Sequence, residues 1–339
     1  MDISVIIPVY NAARFIEKTI SSVLLQPEVR ELILVDDGSQ DRSLIILRTA
    51  ATKDKRIKVY WHEGHANRGP GASRNLGLAH ANSSWISFLD ADDYLLPGRF
   101  TRVAATWQRY PDADGFCEAI ENENVHGDDA LVAVPHSDIP RVVGPGQKIA
   151  PAQALDLFFG PHFEWASIIS YTLRTDFLRK HDLQMAENIR QAEEILFLAR
   201  VLLHGTCYTA GTREKPLIRR CLHGENTSFQ LRQATMAQVE LYGQLLPLFL
   251  QHRGRVSPET CCYTLFKRLQ YDPYIIPWDR CTLLRIPAKL ILLLRLLFRY
   301  PDALIVLRAY PQMKRLKQIA RRELKAAGVI YTQYQKMKS

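Results

Sequence analysis

Over the first hundred residues, apolar and polar positions follow two alternating rhythms. Short runs rich in Val, Ile and aromatic residues, at Ile3 to Val9, Glu31 to Asp36, Ile57 to Trp61 and Trp85 to Leu89, read as strands. Between them, Ala12 to Leu25, Asp41 to Thr52 and Gly71 to Ala81 carry apolar residues at helical spacing, as in Phe15, Ile16, Ile20, Val23 and Leu24. This alternation predicts an α/β fold: a doubly wound, mainly parallel sheet flanked by helices. From Asp112 to Ala154 the pattern weakens. Beyond Phe229 it turns helical, with apolar spacing over Met236 to Gln251 and Pro258 to Gln270. The expected division is therefore a domain over 1–228 and a helical C-terminal region over 229–339.

In open α/β sheets ligands bind beyond the carboxyl ends of the strands. Four polar constellations fall at those ends: Pro8-Val9-Tyr10-Asn11, Asp36-Asp37-Gly38-Ser39, the segment Asn67 to Gly77, and Asp90-Ala91-Asp92-Asp93. Their convergence predicts a crevice the size of a nucleotide. Three carboxylates within four positions repel one another unless a cation or a ring of donors faces them, so Asp90, Asp92 and Asp93 are candidate ligands for a divalent metal. The same residues also suit a turn, with Asp93 placed to start a helix running past Pro97 and Gly98.

In Asn67-Arg68-Gly69-Pro70-Gly71 the glycines allow close backbone approach, and a helix beginning near Ala72 would aim its positive end at the crevice. Arg74 on that helix either reaches a phosphate or ties to nearby carboxylates. Farther on, Glu193 and Glu194 precede a strongly apolar helical run from Ile195 to Leu202, as helix-start acids or as working carboxylates.

The first strand is followed by no G-x-G-x-x-G and no P-loop, which excludes the usual dinucleotide and P-loop sites. With 339 residues, 47% hydrophobic and 23% charged, the chain has an ordinary globular composition. The start Met1-Asp2-Ile3 has no basic n-region, and the six cysteines form no C-x-x-C pair, so a cytoplasmic, reduced protein is expected. The net charge of +9 is uneven: from Lys267 to Ser339 sixteen Lys and Arg face four acids. The segment Arg285 to Arg299, aliphatic but broken by Arg295, is too interrupted to span a bilayer and suits either an anionic membrane surface or a helical cap. The tail lacks aromatic-interleaved or Gly-rich motifs, which argues against nucleic acid.

Ser4-Val5-Ile6-Ile7-Pro8-Val9-Tyr10-Asn11, Val35-Asp36-Asp37-Gly38-Ser39, Gly69-Pro70-Gly71-Ala72-Ser73-Arg74-Asn75-x-Gly77 and Phe88-Leu89-Asp90-Ala91-Asp92-Asp93 resemble, in order and spacing, the motifs of family 2 inverting glycosyltransferases of the GT-A fold, of the bacterial polysaccharide type. The resemblance implies a nucleotide-sugar donor, UDP-linked by family frequency, with Pro8, Tyr10 and Asp37 against nucleobase and ribose. It also implies Mn2+ or Mg2+ on Asp90, Asp92 and Asp93, with Asp92 favoured. Glu194 takes the place of the family's general base, a Glu for an Asp, with Glu193 the alternative. Arg219-Arg220-Cys221-Leu222-His223 is similar to a loop placed over the donor diphosphate, which gives His223 a role at a phosphate or the metal. The acceptor implied is a saccharide or a polyprenyl-linked saccharide, met in part by aromatic residues such as Trp165. A nucleotidyltransferase on a related fold would need a basic, Gly-rich loop after the first strand, where this chain has Pro-Val-Tyr-Asn-Ala-Ala.

Overall fold

The computed structural model describes residues 1–124, 144–159, 167–189, 193–211, 215–223 and 234–252, together with 254–257, 260, 261 and 264. The stretches around His126 and Pro135, His162 to Trp165, and the basic tail beyond 264 lie outside the described residues, and with them the expected acceptor aromatics and membrane segment. The chain divides into two units, Met1–Ala150 with Glu164–Gly224 and Pro151–Phe163 with Glu225–Ser339.

In the first unit the predicted rhythm appears as β1 (Ile3–Val9), α1 (Ile16–Leu24), β2 (Val29–Asp36), α2 (Ser43–Lys53), β3 (Ile57–Trp61), α3 (Pro70–His80) and β4 (Trp85–Phe88). β1 and β4 are buried almost throughout, as expected for strands covered by helices on both faces. β2 runs parallel between β1 and β3, and β1 runs parallel to β4. Further along come β5 (Tyr94–Leu95), α4 (Arg99–Arg109), β6 (Gly115–Cys117), β7 (Ile120–Asn124), β8 (Tyr171–Arg174), α6 (Thr175–Lys180), α7 (Glu193–His204), β9 (Cys207–Thr209) and β10 (Ile218–Leu222). The main sheet has seven strands in the order β3-β2-β1-β4-β8-β6-β9, and only β8 is antiparallel to its neighbours. A second sheet of three strands, β5-β10-β7, lies beyond the end of β4.

Two local expectations are corrected. Helix α1 begins at Ile16, not Ala12, because Asn11 takes a positive φ of 49° and the N–H groups of Ala12 and Ala13 go to the side chains of Ser43 and Asp41. Asp93 starts no helix. The residues after it extend as β5, paired with β10 at Tyr94↔Arg219 and Leu95↔Ile218, and the helix waits until Gly98 supplies a left-handed turn at φ 85°.

In the second unit, α5 (Pro151–Phe159) and α8 (Ala234–Gln251) are helical, the latter over nearly the span predicted from its apolar spacing. On α8, Leu241, Tyr242, Leu245, Leu246 and Phe249 form one buried stripe. The Asp156 carboxylate of α5 accepts hydroxyl bonds from Ser257 and Thr260. Among the described residues no helix is long and apolar enough to cross a membrane.

Candidate active site

The switch point of the sheet, where chain order reverses across β1 between β2 and β4, gathers the polar strand ends. The β1 turn is knitted to the β2 turn: Asn11 N–H donates to Ser39 Oγ (3.1 Å), and Gln40 N–H donates to Asn11 Oδ1 (2.8 Å). Pro8 is half-buried there, and Tyr10 leaves 52% of its surface open. Asp37 is 3% exposed, and its carboxylate accepts the N–H groups of Arg68 (2.7 Å) and Gly69 (2.9 Å). Gly38, at φ 76°, is packed so tightly that an added Cβ would meet His65 O at 2.6 Å and Asn67 N at 3.0 Å. Asn67 is exposed on this loop, and the loop delivers the chain into α3 through Gly69 at φ 90°. Sequence reasoning gave Asp37 a place against the ribose and missed this second use of its oxygens. It also missed His62, buried beside it, whose Nε2 meets Ser73 Oγ at 2.9 Å.

Arg74 is the link to the chemistry. It points from α3 into the molecule, 4% exposed, and donates Nη2 to Asp90 Oδ1 and Nη1 to Glu193 Oε1, both at 2.7 Å. Burial opposes its charge, but Asp90, Glu193 and Glu194 outweigh burial and raise its pKa. Of the two roles open to Arg74, the structure shows the tie to carboxylates. Gly71 makes room for it: a Cβ there would sit 3.1 Å from Glu193 Cγ.

The acidic cluster is drawn together as expected, each of Asp90, Asp92 and Asp93 offering an oxygen within 4.8 Å of the others. Their environments differ. Asp90 is held by Arg74, and Asp92 Oδ2 lies 2.8 Å from His223 Nε2 at the end of β10. Asp93 is 1% exposed; its Oδ1 accepts the Cys221 N–H (2.9 Å), and its carbonyl, with that of Ala91, accepts the Thr19 hydroxyl. Burial, then the charges of Asp92 and Asp90, push its pKa well above the carboxylate range. Among the described residues Asp93 Oδ2, which is buried, has no hydrogen-bond partner. A set of hard oxygens, mutually repelling and with one buried oxygen unpaired, fits a hard divalent cation. Neither Thr19 nor Cys221, which fasten Asp93 by a hydroxyl and a backbone N–H, carries a sequence signal.

His223 is also stacked on Phe15, with ring centroids 4.6 Å apart. The two arginines before it diverge: Arg219 pairs with Glu121 at 2.7 Å, while the Arg220 charge acts on Asp93.

Glu193 and Glu194 open α7 as predicted, but with unequal surroundings. Glu193 is 4% exposed and committed to Arg74; burial raises its pKa against that pairing. Glu194 accepts the N–H of Ile168 at 3.0 Å, and burial pushes its pKa up to about 7 against the attraction of Arg74. A carboxylate poised near neutrality at a crevice is placed for proton transfer.

Residues 4–151 match the model of the family described as Glycosyl transferase family 2. The succinoglycan biosynthesis protein ExoU of Rhizobium meliloti (strain 1021) is 31% identical over 211 residues, which is 61% of this chain and 58% of that protein. The uncharacterized glycosyltransferase EpsJ of Bacillus subtilis (strain 168) is 42% identical over 102 residues, 30% of this chain and 29% of EpsJ. The chain thus spans little more than half of ExoU and less of EpsJ. Residues 1–349 of S. aureus TarS, solved in complex with UDP-GlcNAc, superpose with a TM-score of 0.63 over 99% of this chain and 92% of that one at 19% identity, which identifies the same GT-A-like fold. The chain thus carries, over residues 4–151, a domain of glycosyl transferase family 2.

Proposed function

We propose that the protein is an inverting glycosyltransferase that moves a sugar from a UDP-linked donor to a hydroxyl of a saccharide or polyprenyl-linked saccharide. The observation that carries this reading is Glu194, a carboxylate with a pKa of about 7, set beside a Glu193 already spent on Arg74. Deprotonated Glu194 accepts the proton of the acceptor hydroxyl while that oxygen attacks the anomeric carbon, and the bond to the diphosphate oxygen breaks on the opposite face. A single displacement inverts the configuration. Arg74 orients Asp90 and Glu193 and spreads positive charge beneath the donor. Asp92 and Asp93, with Asp90, would hold Mn2+ or Mg2+, which when bound supplies positive charge for a departing nucleoside diphosphate.

Pro8 and Tyr10 flank the nucleobase, and Asp37 with Asn67 shapes the ribose side through the loop they anchor. His223, fixed by Asp92 and Phe15, faces the diphosphate. A UDP donor is supported by the TarS complex with UDP-GlcNAc, and a saccharide acceptor by the succinoglycan role that ExoU's name states. The catalytic portion is assigned to 1–228, and the basic region beyond it to contact with an anionic membrane face, in keeping with its charge surplus. The test is transfer from UDP-sugars to an oligosaccharide panel with Mn2+, the product's anomeric configuration being read by proton NMR. Inverted product that depends on Glu194 is expected; retained configuration, or turnover surviving in Glu194→Gln, would contradict the proposal.

A further inference from the structure

Behind Glu194 lies a buried ion network that the transfer chemistry does not use. Arg99, the first residue of α4, and Glu118, between β6 and β7, are completely buried and meet Nε to Oε2 at 3.0 Å. The other Glu118 oxygen accepts Arg102 Nη2 at 2.8 Å. Arg99 then donates Nη2 to the carbonyl of Ile169 at 2.7 Å, and the Glu118 backbone N–H donates to the carbonyl of Ser170 at 2.9 Å. The 3-10 turn Ile168–Ser170 is thus gripped at two carbonyls from two elements. Its leading N–H, that of Ile168, is the one that bonds Glu194 Oε2.

Burying a guanidinium is costly, and here burial lowers the Arg99 pKa. Apolar side chains would fill the same volume, but only a planar fork can hold a carboxylate and a carbonyl in fixed directions at once. We propose that Arg99, anchored by Glu118, is a positioning residue for the base: it fixes the Ile168–Ser170 turn so that the Ile168 N–H orients the Glu194 carboxylate toward the acceptor. The inference rests on the reading of Glu194 as the base.

Among the described residues, the charged groups facing Glu194 are Arg74 from α3, Asp90 from the end of β4 and Glu193 on its own helix, and none of them touches Arg99 through a described ion pair. Loosening the turn therefore removes the neutral donor and leaves the ionic surroundings in place. The charged form of Glu194 loses a partner, and its titration midpoint rises.

The experiment titrates full-length protein carrying glutamate labelled with carbon-13 at the carboxyl, the Glu194 resonance being identified by its loss in Glu194→Gln. Arg99→Met leaves Glu118 its Arg102 partner; Arg99→Lys keeps a cation opposite Glu118 but not the fork. An upward midpoint shift of about one pH unit is expected in Arg99→Met, and a smaller one in Arg99→Lys, with cooperative thermal unfolding retained. An unmoved midpoint in either folded variant overturns the inference, as does failure of both to fold, since Arg99 would then serve the fold and not the base. Donor turnover in Glu194→Gln, measured alongside with UDP-GlcNAc and Mn2+, separates the two claims: its survival would defeat the base assignment without touching the shift.

Discussion

At the scale of single residues, Glu194 sets the sharpest expectations. With Glu194 as the proposed base, turnover should rise with pH through a midpoint of about 7, and Glu194→Gln should lose roughly 10²–10⁴-fold above that midpoint, the gap narrowing below it as the wild-type carboxyl protonates. The same raised pKa costs stability. Between the ordinary value of 4.5 and about 7 the folded protein binds more protons than the unfolded chain, so stability falls as pH rises through that window. Glu194→Gln should therefore unfold later than wild type above pH 7, by about 1–3 kcal/mol, and the gap should close near pH 4.5; a gap independent of pH would refute the assignment. Arg74→Met, by contrast, leaves Asp90 and Glu193 without their buried cation and should cost about 3–5 kcal/mol in urea unfolding. The acidic cluster was legible in the sequence because its members are contiguous. The use of Arg74 was left open because its partner Glu193 lies 119 positions away, and no local pattern encodes a pairing at that range.

At the scale of elements, the β-α-β-α rhythm from Ile3 to Phe88 was readable because its strands are short apolar runs, with β1, β4 and most of β2 covered on both faces. Where the reading slipped, a tertiary partner had claimed the backbone. The side chains of Asp41, before α2, and Ser43, at its start, take the N–H groups that would have begun α1, and β10 recruits the residues after Asp93 into a strand. Helix α3 carries the loop and Arg74 only because it lies directly on the sheet. A Cβ at Gly77 would stand 2.4 Å from Ile6 Cγ2 of β1. Gly77→Ala should thus destabilise by about 1–3 kcal/mol, and combined with Ile6→Ala it should cost less than the sum of the two single changes. Additive losses in urea unfolding would mean that α3 does not rest on Ile6.

At the scale of the whole molecule, a doubly wound, mainly parallel sheet was foreseen, but the reversed β8 and the separate β5-β10-β7 sheet were not. Strands β6, β8 and β9 have only three or four residues, too few for alternation to register, and their partners are distant in sequence. Yet these elements complete the site: β10 brings His223 and the Cys221 N–H to the acidic cluster, and the turn before β8 brings the Ile168 N–H to Glu194. The crevice works only as an assembly of the regular N-terminal half and the irregular segments after it. The most direct test of a metal-dependent nucleotide-sugar site is a thermal-shift titration with UDP and UDP-GlcNAc, with and without Mn2+, on wild type and Asp92→Asn. A Mn2+-dependent stabilisation of about 2.7 kcal/mol at a hundredfold excess over Kd is predicted for wild type, and its loss in an Asp92→Asn protein that melts normally without ligand. An equal shift without Mn2+, an unchanged shift in the variant, or no shift with either nucleotide would contradict it.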